Sequence, residues 1–90
     1  MALDKEKVLV AVNEGKCVRI NYRYRRGGRL RTTRRTIEPY SYGITSRGNE
    51  VLFAIDVDDP REIKSFITKQ VRSTAPSNKV SQNRFPNEIG

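Results

Sequence analysis

The sequence predicts a mainly β fold: a small five-stranded β-barrel, preceded by a short N-terminal helix and followed by an irregular C-terminal tail. Three observations carry this. Residues 17–25 alternate apolar and basic side chains with a period of two, Gly27-Gly28 places a tight turn directly after them, and four further strand-like runs are separated by Pro39, Gly48 and Pro60. Several short strands with turn signals between them suit a small barrel.

Asp4 can cap a helix over about residues 4–14, with Glu6 in its first turn, Val8, Leu9, Ala11 and Val12 on one face, and Gly15 at its end. Strand one covers about 17–25, where Val18, Ile20, Tyr22 and Tyr24 alternate with Arg19, Asn21, Arg23 and Arg25. One side packs and the other is basic. Arg26-Gly27-Gly28-Arg29 turns the chain, because two glycines supply the positive φ angles that a hairpin turn needs. Strand two, about 29–37, has Leu30 and Thr32 on one parity but Ile37 on the other, which predicts a β-bulge between Thr33 and Arg35. Pro39 has no N–H to give a ladder and is expected to end that strand, leaving a third at about 40–46.

Ser46-Arg47-Gly48-Asn49 then turns the chain into strand four, about 50–57, whose Val51-Leu52-Phe53-Ala54-Ile55 is the most continuously apolar stretch and marks the central strand. Asp58-Asp59-Pro60 predicts the next turn. Strand five, about 62–68, sets Ile63, Ser65 and Ile67 against Lys64, Phe66 and Thr68. The domain is expected to span 1–73. Over 74–90, Pro76, Ser77, Asn78, Ser81, Gln82, Asn83 and Pro86 interrupt any period, and only Val80, Phe85 and Ile89 could anchor a tail.

Ninety residues support one core, expected to bury about 60–65% of the surface that the unfolded chain exposes. The lone Cys17 and the absence of His exclude an internal disulfide framework and the usual zinc sites, and fit a reducing, cytoplasmic setting. No apolar run approaches a membrane span, and the charged start does not resemble a secretory signal. The charge is concentrated. Formal net charge is +8, and residues 16–37 carry nine basic side chains with no acid, which leaves the remainder at −1. A block of this kind serves a polyanion by releasing counterions condensed on phosphate; the alternative is a strand pair with a solvated charged side.

Arg19, Arg23 and Arg25 share one face of strand one, with neighbouring positions about 6–7 Å apart, near the phosphate repeat of a single strand. Arg34 and Arg35 lie in the expected bend, where adjacent side chains could point the same way. Lys64 could meet the same surface across the barrel. Tyr22 and Tyr24 have core parity, whereas Tyr40 and Tyr42, beside Pro39, are candidates for exposed rings that stack bases. Cys17 is expected to be a small buried hydrophobe. Gly27-Gly28 joins two strands without a following helix and is no phosphate loop. With no His and no recognisable carboxylate pattern, neither catalysis, a metal nor a cofactor is expected.

Five segments in linked order resemble the WYL domain family of prokaryotic and phage regulators. They are Ala11-Val12-Asn13-Glu14-Gly15-Lys16, Val18-Arg19-Ile20-Asn21-Tyr22, Arg35-Thr36-Ile37-Glu38-Pro39, Val51-Leu52-Phe53-Ala54-Ile55-Asp56 and Lys64-Ser65-Phe66. The naming triplet stands here as Val51-Leu52-Phe53, without Trp or Tyr, and Ile67 and Lys69-Gln70 depart from the pattern of the last strand. The resemblance implies an Sm/SH3-like barrel, a stand-alone sensor or regulator with nucleic acids or nucleotides as ligands, and Arg19, Arg35 and Lys64 as the matching basic positions.

Together these features lead to the expectation of a non-enzymatic regulatory or accessory protein that binds single-stranded DNA or RNA. The alternative is a module that senses a nucleotide or contacts an acidic regulatory partner and forms a homodimer. No membrane partner is expected.

Overall fold

Gly27 and Gly28 adopt φ of +58° and +77°, the left-handed pair that a two-residue hairpin turn requires, and the long hairpin they close is the middle of the sheet. A computed structural model describes residues 2–82 and residue 89. In chain order the elements are helix α1 (Lys5–Asn13), strands β1 (Lys16–Arg26), β2 (Arg29–Ile44), β3 (Glu50–Asp56) and β4 (Asp59–Ile67), a 3-10 turn (Thr68–Gln70) and strand β5 (Val71–Val80). All strand pairs are antiparallel, in the order β4-β3-β2-β1-β5.

That order forces curvature. A flat sheet would separate β4 from β5 by four strand spacings, about 19 Å, whereas the four residue steps from Ile67 to Val71 reach at most about 14 Å. The sheet therefore curls until its two edges approach. The Ile67 N–H donates to Tyr22 Oη at 3.1 Å, and the Tyr22 and Phe66 rings meet edge to face with centroids 5.2 Å apart. Among the described residues no ladder joins β4 to β5, so the sheet remains open.

Inside the curl lie Val18, Ile20, Ile37, Leu52, Ala54, Phe66 and Val71, and α1 covers them with Val8 and Ala11. Each of the larger side chains contributes about 1.5–3 kcal/mol by leaving water. Asp4 caps the helix, Oδ1 accepting from the Glu6 and Lys7 N–H groups at 3.1 and 3.2 Å, and Gly15, at φ +68°, lets the chain leave it for β1. Leu3 N–H donates to the Thr68 carbonyl and Asp4 N–H to Thr74 Oγ1, which ties the helix start to the 3-10 turn and to β5. Among the described residues no helix is long and apolar enough to cross a membrane.

Several boundaries differ from the expected ones. Helix α1 is Lys5–Asn13 within the expected 4–14, and Leu9 is exposed rather than on the packed face. The strands expected at 29–37 and 40–46 are one strand, and it, rather than the apolar run at 50–57, holds the centre of the sheet, because β3 pairs with the edge strand β4. Pro39 does not end β2, because Pro39 lies past the last β1 partner, Ile37, and beside a register shift against β3, where a missing N–H is tolerated. The bulge expected at Thr33–Arg35 does not form: the β1–β2 register runs unbroken from Val18↔Ile37 to Arg26↔Arg29, and the register shift of β2 lies instead between Pro39 and Ser41, against β3. The third turn is Val57-Asp58, and Asp59-Pro60 opens β4, an edge strand in which Pro is harmless. The irregular tail expected from residue 74 is strand as far as Val80: β5 pairs with β1 through two register shifts, and Pro76 is accommodated at the sheet edge. Val80 is exposed, and Ile89 packs against the core cluster. The anchoring role expected of Phe85 and the break at Pro86 lie outside the described residues.

Candidate nucleic-acid interface

Opposed residues of an antiparallel pair project to the same face, so the β1–β2 register sorts the arginines. Arg19↔Thr36, Asn21↔Arg34, Arg23↔Thr32 and Arg25↔Leu30 occupy the outer face; Ile20↔Arg35, Tyr22↔Thr33 and Tyr24↔Arg31 occupy the inner, core-side face. Arg19, Arg23, Arg25 and Arg34 thus form one outer surface. Arg34 and Arg35, being consecutive on a regular strand, point to opposite faces rather than together.

On the outer side Arg19 and Arg34 flank a shallow hollow of about 290 Å³, floored by Asn21, Ser73 and Ala75. Asn21 Nδ2 donates to Ser73 Oγ at 2.8 Å, so these two polar groups satisfy each other across the β1–β5 pair. The arginines keep their charge uncompensated. None of Arg19, Arg23, Arg25 and Arg34 has an ion-pair partner among the described residues. Arg25 Nη1 makes only a long contact, 3.5 Å, to the Gly28 carbonyl, and Arg23 Nε is buried without a hydrogen-bond partner there.

The inner side is organised differently. Arg35 Nη1 donates to Asp56 Oδ2 at 2.8 Å, and Lys64 Nζ lies 3.2 Å from Asp59 Oδ2. Arg61 also donates to Asp59, at 2.9 Å; its hydrogen bond, followed by that of Lys64, holds the Asp59 carboxyl below the usual range. Arg35 and Lys64 line a cleft of about 570 Å³ between the hairpin and β4, together with Tyr22, Tyr24, Arg26, Thr33, Glu62 and Phe66. Lys64 therefore joins Arg35 but not the outer row. Tyr22 and Tyr24 are half-buried, in keeping with their parity.

Tyr42 is not an exposed stacking ring. It is half-buried against the core cluster, with the Lys5 ammonium 5.0 Å above its ring and its hydroxyl buried without a partner among the described residues. The register shift after Pro39 turns Tyr42 onto the core side, opposite Leu52, at the far end of the sheet from the hairpin tip. Burial, and then the nearby Glu50 carboxylate, raise its pKa above the ordinary 10.0. Glu50 is itself held low, chiefly by its 2.6 Å bond from Lys5.

Arg26 and Arg31 have core-side parity, and the sequence carries a signal for that placement. A two-residue turn at Gly27-Gly28 makes partners of Arg26 and Arg29, hence of Arg25 and Leu30, and of Ile20 and Arg35. Counting outward from the turn places Leu30 among the arginines and Arg35 over the core without any bulge. Among the described residues no group of His, Cys, Asp or Glu is placed to hold a metal. Neither a protein-family model, nor a curated protein, nor a solved structure matches the chain.

Proposed function

We propose that the chain binds nucleic acid through the basic outer face of the β1–β2 hairpin, acting as a regulatory or accessory protein rather than a catalyst. The division of the cations carries this reading: Arg35 and Lys64 are neutralised by Asp56 and Asp59, whereas Arg19, Arg23, Arg25 and Arg34 share one face without an acidic partner among the described residues. Like charges held together on one strand pair repel, and a polyanion relieves that repulsion while releasing its own counterions. The phosphates of a nucleic-acid strand would follow the row, in which Arg23 and Arg25 lie about 6–7 Å apart along β1. Base stacking adds little to that mode, because Tyr22 and Tyr24 face the other side.

A second reading rests on the inner cleft, where rings of Tyr22, Tyr24 and Phe66 accompany Arg35 and Lys64. Rings and cations in a cleft of that size suit a nucleotide, and the chain would then be a ligand sensor that dimerises or contacts a regulatory partner. The Sm/SH3-like barrel and the WYL resemblance belong to both readings; the short β4–β5 link and the Tyr22–Phe66 contact support the curl that such a barrel has.

Fluorescence anisotropy with labelled oligonucleotides at two salt concentrations, with free nucleotides as competitors, separates the two. The hairpin reading expects the logarithm of affinity to fall with that of salt at a slope of about −3 to −4 for four to six phosphate contacts on a single strand, and expects R19E/R34E to abolish binding at unchanged thermal stability. Absence of binding to every oligonucleotide at low salt ends it. Saturable nucleotide binding that survives R19E/R34E selects the cleft.

A further inference from the structure

We infer that the hairpin tip is an arm that enters the major groove of a B-form DNA duplex. The inference rests on the nucleic-acid reading above and names the form of nucleic acid that the site takes. Pairing of β5 with β1 ends at Tyr22, and that of β3 with β2 ends at Ile37, with a last backbone bond from Val57 N–H to the Thr36 carbonyl. Beyond those points β1 and β2 continue as a two-stranded ribbon. Every residue from 25 to 32 is exposed, so the end of the ribbon has solvent on both faces.

The shape fits a groove. A major groove about 12 Å wide and 8.5 Å deep admits a two-stranded β-ribbon. From Arg23 to the turn the ribbon extends about 13 Å, more than the depth of the groove, so the tip reaches base edges while the body stays outside.

The charge pattern fits the same place. Arg25 lies on the outer face, Arg31 on the inner, and Arg26 and Arg29 flank the turn. A strand lying on a sheet meets one face; an arm inside a groove has phosphates on both sides. Arginine forks match the guanine O6 and N7 acceptors presented there, and Leu30, 53% exposed between arginines, suits a thymine methyl group. The deep, narrow major groove of A-form RNA closes out such an arm.

The test compares a short DNA duplex, an RNA duplex of the same sequence and each DNA strand alone, by anisotropy with the full chain. The expected result is at least about tenfold tighter binding of the DNA duplex than of the RNA duplex or the single strands, with guanine N7 protected from methylation. R25A/R31A should keep the melting curve and reduce the salt slope on the duplex by about two. Binding to none of these at low salt overturns the nucleic-acid reading, and the arm with it. Equal binding to single strands or RNA duplex, unprotected N7, or an unchanged slope in the tip variant overturns the arm alone.

Discussion

Arg35 and Asp56 form the one ion pair in which a carboxylate is withdrawn completely from solvent among the described residues: the distance is 2.8 Å, the Asp56 side chain is 0% exposed and that of Arg35 is 38% exposed. The other Asp56 oxygen accepts the Asp58 N–H at 2.9 Å. One buried carboxylate thus fastens the base of the hairpin to β3 and shapes the β3–β4 turn. It also separates Arg35 from the other hairpin arginines, none of which has an ion-pair partner among the described residues.

Removing Arg35 leaves Asp56 buried without its counter-charge. R35M should cost about 1–3 kcal/mol, less than a fully buried pair because Arg35 is partly hydrated, whereas D56N/R35M should recover part of the loss. R19A and R34A should stay within about 0.5 kcal/mol of the parent. Urea unfolding of the four variants checks the ordering; equal stabilities for R35M and R19A would contradict it.

Tyr42 titrates late because its hydroxyl is buried near Glu50. A pKa raised in the folded state means that the unfolded chain ionises first on the alkaline side. Its contribution is therefore complete below the ordinary value of 10.0 and is lost as pH rises through the raised folded value. Y42F should match or exceed parental stability at neutral pH, by up to about 1 kcal/mol, since it removes a buried hydroxyl that lacks a partner among the described residues. Its advantage should grow above pH 10, as thermal melts across that range would register.

Gly43 is held by a neighbour rather than by its dihedral angle. A Cβ built there would sit 2.5 Å from a Phe53 ring carbon, so G43A must displace the ring. The expected cost is about 1–3 kcal/mol, and G43A/F53L should cost less than the sum of its single substitutions. Additive losses in chemical denaturation would show that the ring moves aside freely.

The helix, the two-glycine turn and the apolar run 51–55 are legible because each depends on local chemistry: an aspartate cap, positive φ and continuous burial. The end of β2 and the whole of β5 are not. Pro39 and Pro76 look like breakers until their neighbours are known, and both occupy irregular or edge positions where no regular ladder bond is lost. The Leu30 parity misleads for a related reason. Beyond the reach of β3 and β5 neither face of the ribbon is buried, so hydrophobicity there carries no information about which side faces the core.

The sequence alone determines that a hairpin with nine basic residues between 16 and 37 and no acid exists, because alternation and turn chemistry act over a few residues. Only the tertiary structure decides which of those cations are available. Asp56 lies 21 positions from Arg35 and Asp59 five from Lys64, and the pairing of β3 with β2 and β4 and the course of the turn between β3 and β4 bring these carboxylates to their partners. Burial makes the first of these pairings obligatory, since a carboxylate without water must find its charge inside the protein. Arg19, Arg23, Arg25 and Arg34, which no acid meets among the described residues, keep their charge.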